Sequence, residues 1–387
     1  MRLRFQLLIF MVLRTIFNTM HRMVYPFLGA FARGLGVDVT ALSFALTGRS
    51  LAGAFTPFLA SIADQRGRRF GMLAGIALFT LGVGLVAVRP SLWTLSAALL
   101  LGLLGKYLFD PAMQAYFGDR VPYQRRGLAL AVTEVGWSLA FILGVPAMGY
   151  LIARFGWSAP FPVLAILGAG MFAVIWWMAP RRDSIQAPTR KPWTSLVTVT
   201  RNVPALAGIS IALWASAANE LVNLIFGLWL EDTFGLQIAA LAGASAVIGL
   251  SELSGEGLVA LITDRVGKPR ALAWGLSANA LAAAALPLIG RTPAGALVGL
   301  FLFYITFEFV MVSQIPMMTE VVPGARATVM AFNVSGQSLG RALGALLATF
   351  LYRLLGFGFV ASLAVVFNLF ALLALRRLAQ GLQLAEA

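Results

Sequence analysis

Twelve apolar runs, each long enough to cross a membrane as a helix, make up most of this 387-residue chain. An α-helix needs about 20 apolar residues to cross roughly 30 Å of hydrocarbon, and charged residues, Pro or Gly mark the breaks between the runs. We therefore predict an all-α membrane protein with twelve transmembrane helices. The predicted spans are residues 5–31, 38–62, 70–88, 92–117, 127–150, 157–179, 204–230, 237–262, 271–290, 295–319, 327–352 and 356–375.

The composition leaves little room for another class of protein. Hydrophobic residues make up 60% of the chain, charged residues make up 11%, and the mean hydropathy is +0.86, so the polar residues are too few to coat a soluble globule. The chain has no cysteine and one histidine, His21, which argues against disulfides, metal sites and cysteine nucleophiles. We expect no metal, no cofactor and no enzymatic activity. A membrane-embedded transferase is the alternative from the enzyme class.

Membrane topology accounts for most of the net charge of +14. Lys and Arg close to membrane spans are retained on the cytoplasmic side. If both termini are cytoplasmic, the opposite loops hold only five of the 29 basic residues: Arg33, Arg89, Arg154, Arg291 and Arg353. We therefore expect a multi-pass protein of the plasma (inner) membrane with both termini in the cytoplasm, and no nucleic-acid partner.

The longest connection between spans is polar, basic and Pro-containing, and it divides the spans into two groups of six. This predicts an N-terminal six-helix bundle over residues 1–180, a cytoplasmic linker over 181–203 and a C-terminal six-helix bundle over 204–387. The linker is either a short amphipathic helix on the membrane surface or plain coil.

The two groups of spans are copies of each other. A shift of 200 residues places residues 60–68 on residues 260–268, and the same shift places Gly136 and Gly144 on Gly336 and Gly344. Repeated halves in a helical membrane protein indicate two pseudo-symmetric bundles that enclose a central site, which is the architecture of alternating-access carriers.

Two motifs make the chain resemble the major facilitator superfamily, and the resemblance covers essentially the whole sequence. The loop between spans two and three resembles the family's acidic-x-basic-Gly-basic-basic signature, and a weaker copy lies between spans eight and nine. The run from Gly136 to Gly149 in span five, which includes Pro146, is similar to a motif of the family's antiporters. The loop residues are Asp64, Gly67, Arg68, Arg69, Asp264, Gly267 and Lys268.

We interpret these loops as a gate. In a tight turn, Gly67 and Gly267 allow a backbone conformation that a Cβ would oppose, and Asp64 can pair with a helix end or a basic side chain. Such a latch would form in one state and break in the other; a solvated turn with only a topological role is the alternative. We expect the small residues at four-residue spacing in spans five and eleven to allow close helix packing.

Ionisable residues inside the spans are candidate functional residues, because each costs about 3 kcal/mol or more in hydrocarbon unless it faces the protein interior or water. Spans three, six, nine and twelve have none, so we expect them to face lipid. The resemblance implies that spans one, four, seven and ten are innermost. The candidates are Arg14, Arg22, Arg49, Lys106, Asp110, Glu134, Glu220, Glu252, Glu256, Glu308 and Arg341.

Span one carries Arg14, Asn18, Arg22 and Tyr25 on a single stripe. We expect this stripe to line the cavity, with its guanidinium groups holding an anionic or hydrogen-bonding group of the substrate, or the carboxylates of the other half. The alternative for Arg14 is to extend to the cytoplasmic headgroups. We expect His21, beside the stripe, to be a hydrogen-bonded interior residue.

The other predicted cavity residues lie on spans two, four, seven, ten and eleven. Lys106, Asp110 and Gln114 share one face of span four, where Lys106 and Asp110 either neutralise each other or bind substrate. The others are Arg49, Glu220, Glu308 and Arg341.

Glu252 and Glu256 lie one turn apart in span eight, and we predict that they couple transport to protons. A carboxylate can take up and release a proton inside the membrane, whereas an arginine stays charged. A permanent ion pair with Arg341 is the alternative role for one of them.

Together these features predict a secondary active transporter that works by alternating access, with proton-coupled efflux of a small amphipathic or drug-like compound. A carrier of a sugar, metabolite or lipid is the alternative within transport. The expected partners are the small-molecule substrate, protons and membrane lipids, and we expect a monomer.

Overall fold

Every described element of the structure is a helix. The computed structural model describes residues 3–55, 66–121, 132–179, 192–322 and 325–386. The helices are α1 (Leu3–Arg22), α2 (Leu28–Leu35), α3 (Val39–Gly53), α4 (Arg68–Val88), α5 (Leu92–Arg120), α6 (Val132–Phe155), α7 (Pro160–Met178), α8 (Pro192–Arg201), α9 (Val203–Phe234), α10 (Ile238–Val266), α11 (Lys268–Ile289), α12 (Pro293–Val321) and α13 (Arg326–Glu386).

The prediction of an all-α membrane fold is confirmed, although the count of twelve spans is not reproduced. Among the described residues, nine helices are long and apolar enough to cross a membrane, or ten if the bent pair of α2 and α3 is one span. The difference has physical reasons. Arg14 and Arg22 lower the hydropathy of α1, α3 has only 15 residues, and α13 joins two predicted spans across a non-helical residue, Gly356.

The first predicted span is broken near its C-terminal end. α1 ends at Arg22, a stretch of turns follows, and α2 begins at Leu28. Pro26 has no amide hydrogen to donate and disfavours a helical conformation at the residue before it, so a regular helix cannot continue. The corresponding segment of the second half lies within α9, which runs unbroken for 32 residues.

The backbone shows the same internal repeat as the sequence. In the part of the chain that the structure describes, every residue with a positive φ is a glycine, and these six glycines form three pairs that are 199 or 200 positions apart. Glycine is favoured in this conformation because it has no Cβ. The pairs are Gly36 with Gly235, Gly67 with Gly267, and Gly156 with Gly356.

Small residues bring α6 close to α1 and α13 close to α9. A Cβ on Gly136 would lie 2.8 Å from the backbone oxygen of Met11, and a Cβ on Gly340 would overlap the backbone of Leu213. These contacts agree with the packing role expected for the small residues of spans five and eleven. In α6 the helix also widens into a π-helical turn at Ala140–Gly144.

The chain forms two compact units. One comprises residues 1–52, 58–187 and 236–249, and the other comprises residues 53–57, 188–235 and 250–387. In the first unit α1 packs on α5, where the ring centroids of Phe17 and Phe109 are 5.0 Å apart. In the second unit α9 is the most buried of the candidate spans, and it packs on α11 and α13. Residues 181–191 of the predicted linker lie outside the described ranges, and most of the remainder forms the helix α8. The predicted boundaries stay a prediction.

The close contact between α13 and α9 gives a first testable prediction. Gly340→Ala adds a Cβ that overlaps the backbone of Leu213, which cannot swing aside, so we expect a loss of about 1–3 kcal/mol in stability. Gly170→Ala is the matched control, because a Cβ there meets nothing within 4 Å. Thermal denaturation in detergent should give a lower midpoint for Gly340→Ala alone. Equal midpoints for the two variants would contradict the close contact.

Candidate functional site

Four charged side chains of the first unit form a cluster between α1, α5 and α6. Arg14 on α1 is central: its Nε lies 3.3 Å from Oδ1 of Asp110 on α5, and its Nη1 lies 2.7 Å from Oε1 of Glu134 on α6. Lys106 is one turn before Asp110, and its Nζ lies 2.9 Å from Oδ2 of that carboxylate. Two of these three ion pairs therefore connect α1 to α5 and to α6, and the third lies within α5.

Asn18 connects this cluster to the backbone of α6. Nζ of Lys106 donates a hydrogen bond to Oδ1 of Asn18 at 2.6 Å, and Nδ2 of Asn18 donates to the backbone oxygen of Gly136 at 3.3 Å. Asn18 is one turn after Arg14, so the predicted stripe of α1 meets the charges of the neighbouring helices. Gly136 is also the residue whose missing side chain lets α6 approach α1.

The cluster balances its own charge. Arg14 and Lys106 carry two positive charges, and Asp110 and Glu134 carry two negative charges. The side chains of Arg14 and Asp110 are only 5% and 16% exposed, so the ion pairs replace most of the stabilisation that water would give. Of the two roles considered for Lys106 and Asp110, the structure shows the one in which they neutralise each other. Arg14 joins this pair and does not extend toward the headgroups.

Arg22 lies against an aromatic surface of α6. Its guanidinium carbon is 3.4 Å from the ring centroid of Phe141 and 4.2 Å from that of Trp137, and its Nη1 donates to the backbone oxygen of Trp137 at 3.0 Å. A desolvated cation–π contact contributes about 2 kcal/mol or more. These contacts hold the side chain of Arg22, which belongs to α1, against α6.

Arg49 on α3 is held by residues at the end of α1 and in the turn that follows it. Its Nη2 donates to the hydroxyl of Tyr25 at 2.7 Å, and its Nη1 donates to the backbone oxygen of His21 at 3.3 Å. His21 is buried, and its ring centroid lies 6.2 Å from that of Trp137, which agrees with an interior position. The structure thus brings Tyr25 and Arg49, which are 24 residues apart in the sequence, into hydrogen-bonding contact.

A second buried polar chain joins α9 to α12 in the second unit. Nδ2 of Asn223 donates to Oε2 of Glu220 at 3.3 Å, and the hydroxyl of Tyr304 donates to Oδ1 of Asn223 at 2.8 Å. Glu220 and Tyr304 are both buried. The sequence interpretation included Glu220 but missed Asn223 and Tyr304. The spacing of three between Glu220 and Asn223 is a signal that could have found Asn223.

The predicted acidic residues of α10 lie on the face that packs against α12. Glu252, Gly255 and Glu256 share one face of α10 by their spacing. A Cβ on Gly255 would lie 2.7 Å from the backbone oxygen of Ile305 and 3.0 Å from Cβ of Glu308. Glu252 is 2% exposed, whereas Glu256 and Glu308 are half-buried. The structure therefore brings three of the predicted carboxylates into one region of the second unit.

Two predicted cavity residues are placed less deeply. Gln114 is exposed and makes none of the contacts that define the cluster on α1, α5 and α6, and Arg341 on α13 is half-buried. In the described ranges, no group of three or more His, Asp or Glu residues is arranged to hold a metal ion.

The predicted gate is described in part. Gly67 and Gly267 precede α4 and α11 with φ values of 91° and 90°, a conformation that favours glycine. Asp64 and the side chain of Asp264 lie outside the described residues.

Basic residues of the gate make contacts within their own units. Nζ of Lys268 lies 2.6 Å from Oε1 of Glu320 on α12. Nη2 of Arg69 donates to the backbone oxygen of Trp176 on α7 at 2.9 Å, and its guanidinium carbon lies 4.7 Å from that ring centroid. Arg68, the first residue of α4, is half-buried. These contacts tie the start of α4 to α7 and the start of α11 to α12.

Repeated sets of membrane-length helices that hold buried charges are the features of a multi-pass membrane carrier. The sequence model of the Major Facilitator Superfamily matches residues 8–345. The chain belongs to this superfamily, which confirms the resemblance seen in the loop motifs.

Relatives and solved structures agree with this assignment. The chain is 26% identical to the inner membrane transport protein YdhP of Escherichia coli over 324 residues, which cover 82% of this chain and 81% of YdhP. It is 24% identical to the multi-drug resistance efflux pump PmrA homolog of Lactococcus lactis over 268 residues, 66% of this chain and 65% of that protein. The inward-facing, unoccupied crystal structure of a bacterial homolog of the human lysosomal transporter Spinster shares the fold, with a TM-score of 0.75, 16% identity and coverage of 98% of both chains.

The charge balance of the cluster predicts its response to substitution. Asp110→Asn keeps the shape of the side chain but leaves Arg14 and Lys106 with one carboxylate, so we expect a loss of about 3–5 kcal/mol in stability. The double variant Lys106→Gln/Asp110→Asn restores equal numbers of opposite charges and should recover most of that loss. Glu320→Gln breaks only the more exposed pair with Lys268 and should cost about 1 kcal/mol or less.

Thermal denaturation of the purified variants in detergent measures this order. The midpoint should be lowest for Asp110→Asn, intermediate for the double variant, and close to that of the parent for Glu320→Gln. If Asp110→Asn and Glu320→Gln have the same midpoint, the buried ion pairs do not hold α1 against α5.

Proposed function

We propose that this chain is a secondary active transporter that exports a small amphipathic compound across the plasma membrane in exchange for protons. The observation that carries the proposal is the buried carboxylate of Glu252 inside a membrane-length helix. The efflux pump among the relatives supports export, and membership of the superfamily supports a small-molecule substrate. Alternating access of two repeated halves provides the mechanism.

In this proposal Glu252 couples transport to protons, and Glu256 is the second member of the site. A proton can discharge a carboxylate inside the membrane, whereas arginine remains charged at physiological pH. Glu252 is the stronger candidate because it is more deeply buried than Glu256. Proton uptake from one side would neutralise the site, and release to the other side would reset the carrier.

The other predicted site residues divide into positioning residues and candidate substrate contacts. Arg14, Lys106 and Asp110 bind one another and hold α1 against α5, so we assign them a positioning role. Tyr25 holds Arg49 through its hydroxyl, and the candidate substrate contacts are Asn18, Arg22, Arg49, Gln114, Glu220, Glu308 and Arg341.

A carrier of an anionic metabolite is the second candidate function. It is favoured by Arg49, whose hydrogen-bond partners in the described ranges, Tyr25 and a backbone oxygen, are uncharged. A buried guanidinium with uncharged partners is suited to an acidic ligand.

The proposed orientation places both termini in the cytoplasm, because few basic residues fall in the opposite loops. We propose a monomer surrounded by lipid, with six-helix bundles over residues 1–180 and 204–387 and the basic linker 181–203 on the cytoplasmic side. The loops of Asp64 and Asp264 are then cytoplasmic as well.

Transport in proteoliposomes tests the proposed function. The purified protein is reconstituted with ethidium, an amphipathic cation, or fluorescein, an amphipathic anion, and a pH gradient is imposed. We expect at least one probe to accumulate against its gradient until the pH gradient is dissipated. Movement of a probe that is independent of the pH gradient would contradict proton coupling, and movement of neither probe would contradict export of amphipathic compounds.

Glu252→Gln should separate coupling from binding. The amide resembles the protonated carboxyl, so gradient-driven accumulation should fall to the background of empty liposomes, while downhill exchange of the same probe should stay within about twofold. Glu256→Gln should show a smaller version of this separation. Glu231→Gln, near the end of α9, is the control and should transport like the parent. If Glu252→Gln still accumulates the probe in response to a pH gradient, Glu252 is structural.

Asp64→Asn should act on the rate of transport and not on recognition. A charged cytoplasmic turn is distant from the centre of the membrane, so losing its charge should alter the balance between states. We expect exchange to slow by about tenfold or more while ligand affinity, measured by thermal shift, changes little. Unchanged exchange in this variant would refute the latch interpretation.

A further inference from the structure

Arg49 is a buried cation of the first unit that lies outside the ion-pair cluster on α1, α5 and α6. The ion pairs of Arg14 and Lys106 with Asp110 and Glu134 balance two positive charges with two negative ones. Arg49 is 2% exposed, and no carboxylate within the described part of the chain forms an ion pair with it. The positive charge of Arg49 is therefore surplus to this balance.

The guanidinium of Arg49 also has an unused hydrogen-bond donor. Of its five N–H groups, one on Nη2 donates to Tyr25 and one on Nη1 donates to the backbone oxygen of His21. The Nε–H is buried and has no hydrogen-bond partner among the described residues. A buried donor without an acceptor is unfavourable, and a buried cation without an anion is more so.

Two buried leucines share the face of α3 that carries Arg49. Leu42 and Leu46 lie on the same face of α3 as Arg49, at spacings of seven and three residues, and both are fully buried. Nε and Nη2 lie on one edge of the planar guanidinium, and two donors on one edge match the two oxygens of a carboxylate. The Nε–H is the donor left for a carboxylate oxygen, and the bond from Nη2 to the hydroxyl of Tyr25 fixes the orientation of the guanidinium.

From these observations we infer that Arg49 binds the anionic group of the transported compound, and that the substrate class is an amphipathic organic acid with one oxyanion. A single guanidinium with leucines on the same helix face matches one negative group on an apolar body. This inference rests on the proposed function as a transporter, and it adds the chemical class of the substrate. It assigns Tyr25 as a positioning residue for Arg49.

Binding measurements that need no gradient test the inference independently of transport. Purified full-length protein in detergent is screened by thermal shift against acids and their uncharged amides: 2-naphthoate with 2-naphthamide, decanoate with decanamide, and N-acetylphenylalaninate with its amide. Inorganic phosphate and chloride are included to separate an organic acid from a free ion. We expect at least one acid to raise the denaturation midpoint by about 2–4 °C more than its amide does.

The variants assign that difference to Arg49. Arg49→Gln should reduce the affinity for the acid by about tenfold to a hundredfold, and Arg49→Lys should recover only part of it because ammonium lacks the paired donors. Tyr25→Phe keeps the cation and should cause a smaller loss. Arg89→Gln makes the same charge change at an exposed site and should bind like the parent.

Three outcomes would overturn the inference: no acid stabilises the protein more than its amide, Arg49→Gln retains the full difference, or only the inorganic ions act. Because Arg49→Gln removes a surplus buried charge, it should denature at or above the parent midpoint, so loss of binding will not reflect loss of fold. If acids bind through Arg49 but no probe is pumped, the proton-coupled exporter fails and the Arg49 site stands. If ethidium is pumped equally by the parent and Arg49→Gln while no acid binds, the exporter stands and this site fails.

Discussion

Hydrocarbon gives a buried charge no compensation of its own, and much of the first unit is arranged around that constraint. Arg14 reaches carboxylates on two other helices, and Lys106 reaches both Asp110 and Asn18, so each charge is stabilised by groups on neighbouring elements. Gly136 lets α6, which carries Glu134, approach α1. The helices are therefore held together by polar contacts that the surrounding lipid cannot replace.

The fold could be predicted from the sequence because membrane spans leave a strong signal in a single chain. Apolar runs of membrane length gave the helices, and a shift of 200 residues revealed the repeat that the paired positive-φ glycines display in the backbone. Hydropathy could not give the helix ends. Pro26 breaks the first span, whereas only one non-helical residue, Gly356, separates the last two.

The candidate site was less predictable, because its contacts join distant parts of the chain. The pair of Lys106 and Asp110 follows from a spacing of four on one helix, but nothing in the sequence shows that Arg14 reaches Asp110 and Glu134, which are 96 and 120 residues away. Gln114 shares the face of Asp110 by periodicity and yet is exposed, since burial depends on the neighbouring helix and not on the face alone.

The glycine contacts between α1 and α6 and between α9 and α13 also limit how each unit can deform. Where two backbones are in close contact, sliding one helix past the other would bring main-chain atoms into collision. Each pair is therefore expected to move as one rigid unit. Gradual deformation along these pairs is thus disfavoured, and bending is confined to places where regular hydrogen bonding stops. The turns between Arg22 and Leu28 are such a place. The uninterrupted α9 has no such break, so the two repeated halves differ in where they can bend.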